Sequence, residues 1–468
     1  MLLATILGSS MALLDGTVVN LALPRIADDL DASFGGLQWI LNGYTLALAA
    51  LILLGGGLGD RFGRRRIFVI GALGFTVASA LCAVSMSVPM LVGARVLQGV
   101  AAALLTPGSL AIIQASFAPE DRARAIGLWS GLGGVGTAIG PFLGGWLVDA
   151  ASWRWIFLLN LPLGIAVVAV AVRHVPETRD PNATGRVDLL GAVLGALALA
   201  GLTLGLSETS WPLAIGGLAL LVVFVLVEGR TAHSLVPMSL FSSRVFSGTN
   251  VVTLLLYGAL SVVFFLLGLV LQGPLGYTPL QAGVATVPIT LAMLLLSSRA
   301  GALAERIGPR IPMTVGPLLV AAAMLLLTRI QPDSSYVTDV LPGIVVFGLG
   351  LALTVAPLTA TALGAVDDEH AGIASGVNNA VARTGQLLAV ASVPVVAGFA
   401  PGAMVAADDL VDGFHTVMRA AAATAIVAAV IAWVTVRRTA APTAERPPAW
   451  HCAAGGPPPG IEAVSAGE

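Results

Sequence analysis

The chain has 468 residues, of which 57% are hydrophobic and only 10% are charged, and its formal net charge is −2. This balance excludes a soluble globular domain and gives no electrostatic reason to expect a nucleic-acid partner. The two cysteines and five histidines form neither a disulfide framework nor a metal-binding motif, so we expect no metal and no cofactor.

Fourteen apolar segments follow one another along the chain. A helix needs about 20 residues to cross a bilayer, and only helices and closed barrels satisfy their backbone groups in lipid. These segments are too long and too uniformly apolar for barrel strands. The sequence therefore predicts an all-α membrane protein with fourteen transmembrane helices. The predicted spans are 1–22, 36–57, 67–87, 89–115, 125–148, 155–173, 188–207, 211–228, 246–271, 278–298, 311–328, 340–363, 375–399 and 415–436.

The arginines are concentrated in alternate loops. With the N-terminus placed in the cytoplasm, the inner loops hold most of them, including four within 58–66, whereas the outer loops hold Arg25, Arg154 and Arg329. Cytoplasmic loops are typically rich in positive charge. The distribution predicts a multi-pass protein of the plasma membrane with both termini in the cytoplasm. The segment 437–468 is rich in Pro, Gly and Ala and is predicted to be a disordered cytoplasmic tail.

An internal repeat indicates how the helices are organised. LGDRFGRRR at 58–66 recurs weakly as LAERIGPRI at 303–311, with Asp60 matching Glu305. Parallel repeats of this kind build transporters whose halves rock around a central site. The interval between the copies is longer than six helices need, and the segments within 188–228 account for the excess. The predicted parts are an N-terminal six-helix half at 1–173, a linker with two extra transmembrane helices at 174–245, a C-terminal six-helix half at 246–436, and the tail at 437–468.

Four motifs occur in order in the first half of the chain. They are LDGTVVNLALP at 14–24, GGLGDRFGRRR at 56–66, RVLQGVAAAL at 95–104 and GTAIGPFLGG at 136–145, and WRWIFLLNLP follows at 153–162. In this order and spacing they resemble the signatures of the major facilitator superfamily, and within it those of the fourteen-helix drug:proton antiporters (EmrB/QacA type). The resemblance runs from about residue 10 to residue 438. It implies the major facilitator fold, with two six-helix halves and two extra central helices, and a proton gradient as the energy source.

The charged loop at 58–66 has a topological and a functional interpretation. Its arginines suit a cytoplasmic loop whatever the function. The resemblance implies that Asp60 holds the loop against the partner half's helix end and a nearby arginine in one conformation and releases it in the other. An acid near a helix N-terminus gains about 0.3–1 kcal/mol, and Gly63 allows a tight turn. Ordinary loop polarity is the alternative for Asp60. The predicted switch-loop residues are Gly59, Asp60, Arg61, Gly63 and Arg64.

Two charges lie inside predicted spans, Asp15 in the first and Arg95 near the outer end of the fourth. A charge inside a span costs about 2.5–3.5 kcal/mol and usually faces a cavity. A carboxyl group balanced between burial, which favours its neutral form, and a nearby cation, which favours its charged form, can load and release a proton. The resemblance implies this proton-coupling role for both residues. A structural hydrogen bond from Asp15 to the next helix or to Asn20, and a fixed salt bridge or backbone hydrogen bonds for Arg95, are the alternatives.

The segment GTAIGPFLGG places Gly136, Gly140 and Gly144 four residues apart on one helix face. Small residues at this spacing let helices approach closely, and Pro141 removes a backbone donor and loosens the helix. Ordinary helix packing accounts for part of the pattern. With Gly145, the full pattern resembles the exporters' fifth-helix signature, and that resemblance implies antiport rather than import.

Polar and aromatic residues inside the spans are candidates for a substrate cavity, because they suit amphipathic organic molecules. Some have a second interpretation: Trp39 and Trp129 can be interfacial anchors or packing residues, and Gln98 can supply packing and local polarity. The stretch AGIASGVNNAVARTGQ at 371–386 resembles the eleventh-helix region of these exporters, with Gln386 where we expect glycine. The predicted cavity residues are Gln38, Trp39, Asn42, Tyr44, Gln98, Trp129, Tyr257, Asn378, Asn379 and Arg383.

The distribution of acidic residues constrains the substrate. Apart from Asp15, no acidic residue lies well inside a predicted span, and an exporter of divalent organic cations would need a second carboxylate. The sequence favours neutral or singly charged lipophilic substrates, such as antibiotics or secondary metabolites. The predicted function is proton-coupled export by alternating access, with the substrate, protons and the lipid bilayer as partners and a monomer as a sufficient unit.

Two other functions compete with export. A facilitator or proton symporter that imports a small organic solute on the same fold is the alternative, and the direction and energisation of transport separate the two. An enzyme is not expected, because DDLD at 28–31 is followed by Ala32 and does not complete the DDxxD motif of prenyl transferases, and the HExxH motif of metalloproteases is absent from the sequence.

Overall fold

The structure, a computed structural model, describes residues 1–117, 119–179, 188–231, 234–367, 371–400, 402–403 and 405–436. These described residues form long helices and no strand. Thirteen helices among them are long and apolar enough to cross a membrane, and Pro119–Ala150, a helix of 32 residues, brings the series to fourteen. The predicted all-α membrane fold with fourteen helices is confirmed. The helices are α1 (Leu2–Leu30), α2 (Phe34–Phe62), α3 (Arg64–Ala83), α4 (Val88–Ser116), α5 (Pro119–Ala150), α6 (Arg154–His174), α7 (Leu189–Ser207), α8 (Trp211–Glu228), α9 (Arg244–Gln272), α10 (Pro279–Ile307), α11 (Arg310–Leu327), α12 (Tyr336–Leu363), α13 (Gly372–Ala397) and α14 (Ala407–Thr435).

Several helices extend further than the apolar segments that predicted them. α1 continues to Leu30, although its apolar segment ends at residue 22. Hydropathy records only the part of a helix that lies in lipid, whereas local geometry sets its end. Asp31 adopts a left-handed conformation with φ of 50°, and the Ser33 hydroxyl accepts a hydrogen bond from the Gly36 amide and so begins α2. The predicted tail at 437–468 lies outside the described residues.

The two halves repeat one packing scheme. In the first half α1 packs on α5 and α6, α3 packs on α4 and α6, and α2 packs on α4. The second-half helices whose labels are higher by eight make the same five contacts. α7 and α8 stand outside this scheme, pack against each other, and lie against α2 and α13 through α7. They are therefore an inserted pair between two repeated six-helix units.

The two copies of the loop motif adopt the same backbone turn. Gly63 joins α2 to α3 with φ of 116°, and Gly308 joins α10 to α11 with φ of 85°. Glycine adopts this region without steric cost, which explains why both copies carry it at the same position. A Cβ atom on Gly63 would also lie 2.5 Å from Glu177 Oε1. We call the side of the molecule with these two turns the arginine-rich end, and the opposite side the arginine-poor end.

The halves meet closely at the arginine-poor end. Gln272 at the end of α9 donates a hydrogen bond to the Leu21 carbonyl of α1 at 3.0 Å. The Phe34 ring of α2 lies 5.5 Å from the ring of Phe265 and 5.0 Å from that of Phe399. α2 also packs along α13, and α5 along α10. In this conformation the molecule is closed at the arginine-poor end.

Candidate functional site

A buried ion pair lies inside the first half. Asp15 on α1 and Arg95 on α4 form a salt bridge, and the two residues are only 4% and 1% exposed. Arg95 lies two turns, about 10 Å, into α4 from the arginine-poor end. Because the charges cancel, the membrane accommodates the pair at lower cost than either charge alone.

Three more polar side chains complete the hydrogen bonding of this pair. Gln98 Nε2 donates to Asp15 Oδ1 and to Ser79 Oγ, both at 2.8 Å, while Arg95 Nη1 donates to Gln98 Oε1 at 2.6 Å. Asn160 on α6 donates to Asp15 Oδ1 at 3.3 Å and to Ser79 Oγ at 3.2 Å. All five residues are buried. We call them the Asp15–Arg95 cluster.

α2 holds the guanidinium of Arg95 on its other side. Nε donates to the Ile40 carbonyl at 3.2 Å, and the guanidinium carbon lies 4.3 Å from the centre of the Tyr44 ring. Breaking such a buried pair by removing one partner costs about 3–5 kcal/mol. The cluster therefore holds Asp15 and Arg95 together in this conformation, and the proton-coupling role of the two residues stays a prediction.

The structure thus brings together Asp15 and Arg95, two residues whose contact the sequence does not predict. Asn20 does not contact Asp15, since its Nδ2 donates to a backbone carbonyl of α1 at 3.1 Å. Ser79 and Asn160 were missed. Asn160 is an amide inside a predicted span, and polar residues inside spans usually have a functional role, so its position was a usable signal. Ser79 carries no comparable signal, because serine is common in membrane helices.

The predicted switch loop is anchored within the first half. Asp60 forms a salt bridge with Arg64 at 2.7 Å, and Arg64 also reaches a carbonyl near the end of α4 at 3.5 Å. Glu177, just after α6, accepts a hydrogen bond from the backbone amide of Arg65, in the first turn of α3, at 3.1 Å. Gly59 is buried in the last turn of α2. The Arg61 guanidinium carbon lies 5.3 Å from the centre of the Phe62 ring. The switching role of these residues stays a prediction.

The small residues of α5 pack against α1. A Cβ atom on Gly140 would lie 2.7 Å from Thr17 Oγ1, and one on Gly144 would overlap the side chain of Val18. Real Cβ atoms essentially never come within 3.0 Å of such neighbours, so the two glycines set the distance between α1 and α5. Gly136 lies in α5, but its surroundings are outside what the structure describes.

The same helix uses a second face to contact the other half. A Cβ atom on Gly145 would lie 2.6 Å from the Pro279 carbonyl oxygen at the start of α10. One turn earlier on α5, the Pro141 carbonyl lies against Gly283 of α10 so closely that a Cβ there would overlap it. The glycine motif therefore forms part of the closed contact at the arginine-poor end.

Two of the predicted cavity residues on α2 bind other parts of the fold, and a third is buried without such a bond among the described residues. Gln38 is buried and donates a hydrogen bond to the Val390 carbonyl of α13. Asn42, one turn further along, is also buried, and its Nδ2 has no hydrogen-bond partner among the described residues. Trp39 donates to Glu208 Oε1 of the turn between α7 and α8 at 3.3 Å.

The remaining candidates are distributed over both halves. Trp129 of α5 donates to a serine hydroxyl of α1 at 3.0 Å. Asn378 of α13 donates to two polar residues of α9, at 3.1 and 2.9 Å, and the exposed Asn379 donates to its own helix. Tyr257 and Arg383 are partly buried and lie on the neighbouring helices α9 and α13. Gln98, by contrast, belongs to the Asp15–Arg95 cluster, and Tyr44 contacts it.

Two repeated six-helix units that close at one end beside a buried charge pair are the architecture of a membrane transporter with alternating access. A sequence model of the Major Facilitator Superfamily matches residues 5–390. The chain is 37% identical to the puromycin resistance protein of Streptomyces alboniger, over 91% of this chain and 89% of that protein. It is 36% identical to the tetracenomycin C resistance and export protein of Streptomyces glaucescens, over 84% of this chain and 75% of that protein.

A solved structure shows the same fold. An auto-inhibited peptide transporter of the POT family superposes with a TM-score of 0.69 at 18% identity, covering 95% of this chain and 98% of that chain. The chain belongs to the Major Facilitator Superfamily, and the family predicted from the four motifs is confirmed. It is a transporter of the cell membrane with two six-helix halves and two additional central helices.

Proposed function

We propose that the protein is a proton-driven exporter that moves lipophilic small molecules, antibiotics among them, out of the cell. The buried Asp15–Arg95 cluster carries the proposal, because proton coupling needs a titratable group inside the membrane whose partner can change. The relatives support the choice of cargo, since two of them are named for resistance to puromycin and for resistance to and export of tetracenomycin C. The proton gradient supplies the energy, so no cofactor is required.

The proposed orientation places the arginine-rich end and both termini in the cytoplasm. The closed arginine-poor end then seals the site from outside, and this conformation takes up substrate from the cytoplasm or the inner leaflet. Rocking of the halves would separate α5 from α10 at Gly145 and open the outer side. The loop that contains Asp60 would stabilise one of the two conformations. One chain is sufficient for this cycle.

The cluster suggests how the proton is exchanged. In the sealed state Asp15 is charged, because Arg95 and two amide groups donate hydrogen bonds to it. Opening of the outer side would hydrate the cluster. Arg95 could then stay bound to Gln98 and to the Ile40 carbonyl while Asp15 takes up a proton. Return to the sealed state restores the ion pair and releases the proton towards the cytoplasm, so inward proton movement drives outward substrate movement.

Proteoliposomes with an acidic lumen and an internal pH-sensitive dye test this function. Puromycin and tetracenomycin C, each added outside, are expected to enter in exchange for protons. The lumen pH should then rise faster than in protein-free liposomes, which report passive permeation. A fall in lumen pH would show symport, and substrate uptake at the same rate with and without the proton gradient would show a facilitator; either result contradicts the proposal.

A further inference from the structure

Arg383 is a cation near the middle of α13, and its charge has no acidic partner among the residues that the structure describes. Its side chain is partly buried, and Nη1 donates to Gln386 Oε1 one turn away at 3.0 Å. Within the described part of the chain, no carboxylate lies within 4.0 Å of it. Asp15, the acid inside the first half, is already paired with Arg95. A charge at this depth normally has a compensating partner or faces a cavity.

Arg383 lies where the two halves meet. Its helix, α13, packs along α9 of the second half and along α2 of the first half, so one helix of each half lies beside it. The second half contributes Arg383 itself, and α2 of the first half packs along α13. A ligand bound between the halves can therefore reach this guanidinium, whereas the charges of the Asp15–Arg95 cluster are sealed within the first half.

A buried hydrogen-bond donor that has no partner among the described residues lies close to the same level. Gln38 of α2 bonds the Val390 carbonyl of α13, and the two helices run in opposite directions. Asn42, one turn after Gln38, is therefore at the level of Gln386, one turn before Val390. Asn42 is 1% exposed, and its Nδ2 donor has no partner among the described residues. The contact between α2 and α13 thus offers a cation and an amide donor, and among the described residues no carboxylate lies within 4.0 Å of that cation.

We infer that Arg383 binds the negative charge of the transported molecule, so that the substrates include lipophilic organic monoanions such as carboxylates, phenolates or enolates. Arg383 supplies the charge, Gln386 orients its guanidinium, and Asn42 donates a further hydrogen bond. The inference rests on the proposed function, because it treats the anion as the cargo. Among the neutral or singly charged substrates that the sequence predicts, the protein would then prefer those with a negative charge.

Equilibrium binding to the purified full-length transporter in lipid nanodiscs tests the inference. The probes are 2-naphthoate, biphenyl-4-carboxylate and pyrene-1-carboxylate, each compared with its neutral primary amide. A hydrogen-bonded ion pair strengthens binding by about tenfold or more, so wild type is expected to prefer each acid over its amide by that factor. Arg383→Gln should abolish the preference while leaving amide binding intact, and Arg383→Lys should retain part of it.

Arg419→Gln is the matched control, because Arg419 is also an arginine on a membrane helix, α14, but its side chain is exposed; this variant should keep the full preference. The inference is overturned if wild type binds none of the three acids more tightly than its amide, or if the preference survives Arg383→Gln. Amide binding by each variant shows that it is folded. An anion preference without any proton-coupled flux would remove the proposed function alone, whereas proton-coupled flux without an anion preference would remove this inference alone.

Discussion

Arg95→Gln is expected to abolish proton-driven transport and to lower the stability of the first half. The substitution leaves Asp15 without its cation at a site that is 4% exposed, and an unpartnered buried charge costs about 3–5 kcal/mol. Asp15 would escape this cost by holding a proton in both conformations, so it could no longer release one. Transport driven by a pH gradient in proteoliposomes should fall by ~100-fold or more, and the thermal unfolding midpoint should fall with it.

Two further variants separate coupling from folding. Arg154→Gln breaks a salt bridge to Asp29 whose side chains are 33% and 46% exposed, and an exposed pair contributes only about 0–1 kcal/mol; this control should retain transport. The double variant Asp15→Asn with Arg95→Gln removes both charges, so it should recover thermal stability but not transport. Recovery of proton-driven transport in the double variant would show that the pair is structural.

Gly145→Leu is expected to prevent closure of the arginine-poor end. Even the Cβ atom of the new side chain would lie 2.6 Å from the Pro279 carbonyl oxygen and 2.9 Å from Leu280 Cα, and backbone atoms cannot move aside as a flexible side chain can. Overpacking of this kind costs about 1–3 kcal/mol. The cost destabilises only the closed state, because α5 meets α10 there. Transport should be lost, because the molecule stays open on this side, while the amount of folded protein should change little.

Thiol labelling measures this opening directly. Ala282, buried in α10 between Pro279 and Gly283, is replaced by cysteine in a background without Cys82 and Cys452. A membrane-impermeant maleimide should label this cysteine in Gly145→Leu but not in the parent. Gly127→Leu is the control on the same helix, since a Cβ at Gly127 meets nothing within 4 Å. Equal protection in the parent and in Gly145→Leu would show that this contact does not form the seal.

The sequence predicted the number of helices better than their ends, for a physical reason. Lipid imposes a minimum apolar length, so each span was visible as a hydrophobic run. The ends depend on single residues such as Asp31 and Ser33, whose backbone and side-chain geometry stop one helix and begin the next. The repeated loop motif was more informative, because the matched glycines Gly63 and Gly308 do share one backbone conformation.

The candidate site was only partly visible in the sequence. Asp15 and Arg95 could be selected because any charge inside a span needs a partner or a cavity. That they are each other's partners depends on how α1 and α4 pack, which residue spacing does not show. The same limit applies to Gln98 and Tyr44, which were predicted to line the substrate cavity: Gln98 belongs to the cluster, and Tyr44 lies against it. A polar residue in a span can face either a cavity or another polar residue, and only the packing distinguishes the two.

Transport by Asp15→Asn shows whether Asp15 couples substrate movement to proton movement. Two fluxes of labelled puromycin are measured in proteoliposomes: exchange at equal pH, which needs binding and rocking only, and accumulation driven by a pH gradient. Asp28→Asn is the control, because Asp28 is an exposed acid near the end of the same helix. Asp15→Asn is expected to exchange puromycin as wild type does but to accumulate none, whereas Asp28→Asn should do both. Accumulation by Asp15→Asn at the wild-type level would show that proton coupling lies elsewhere in the molecule.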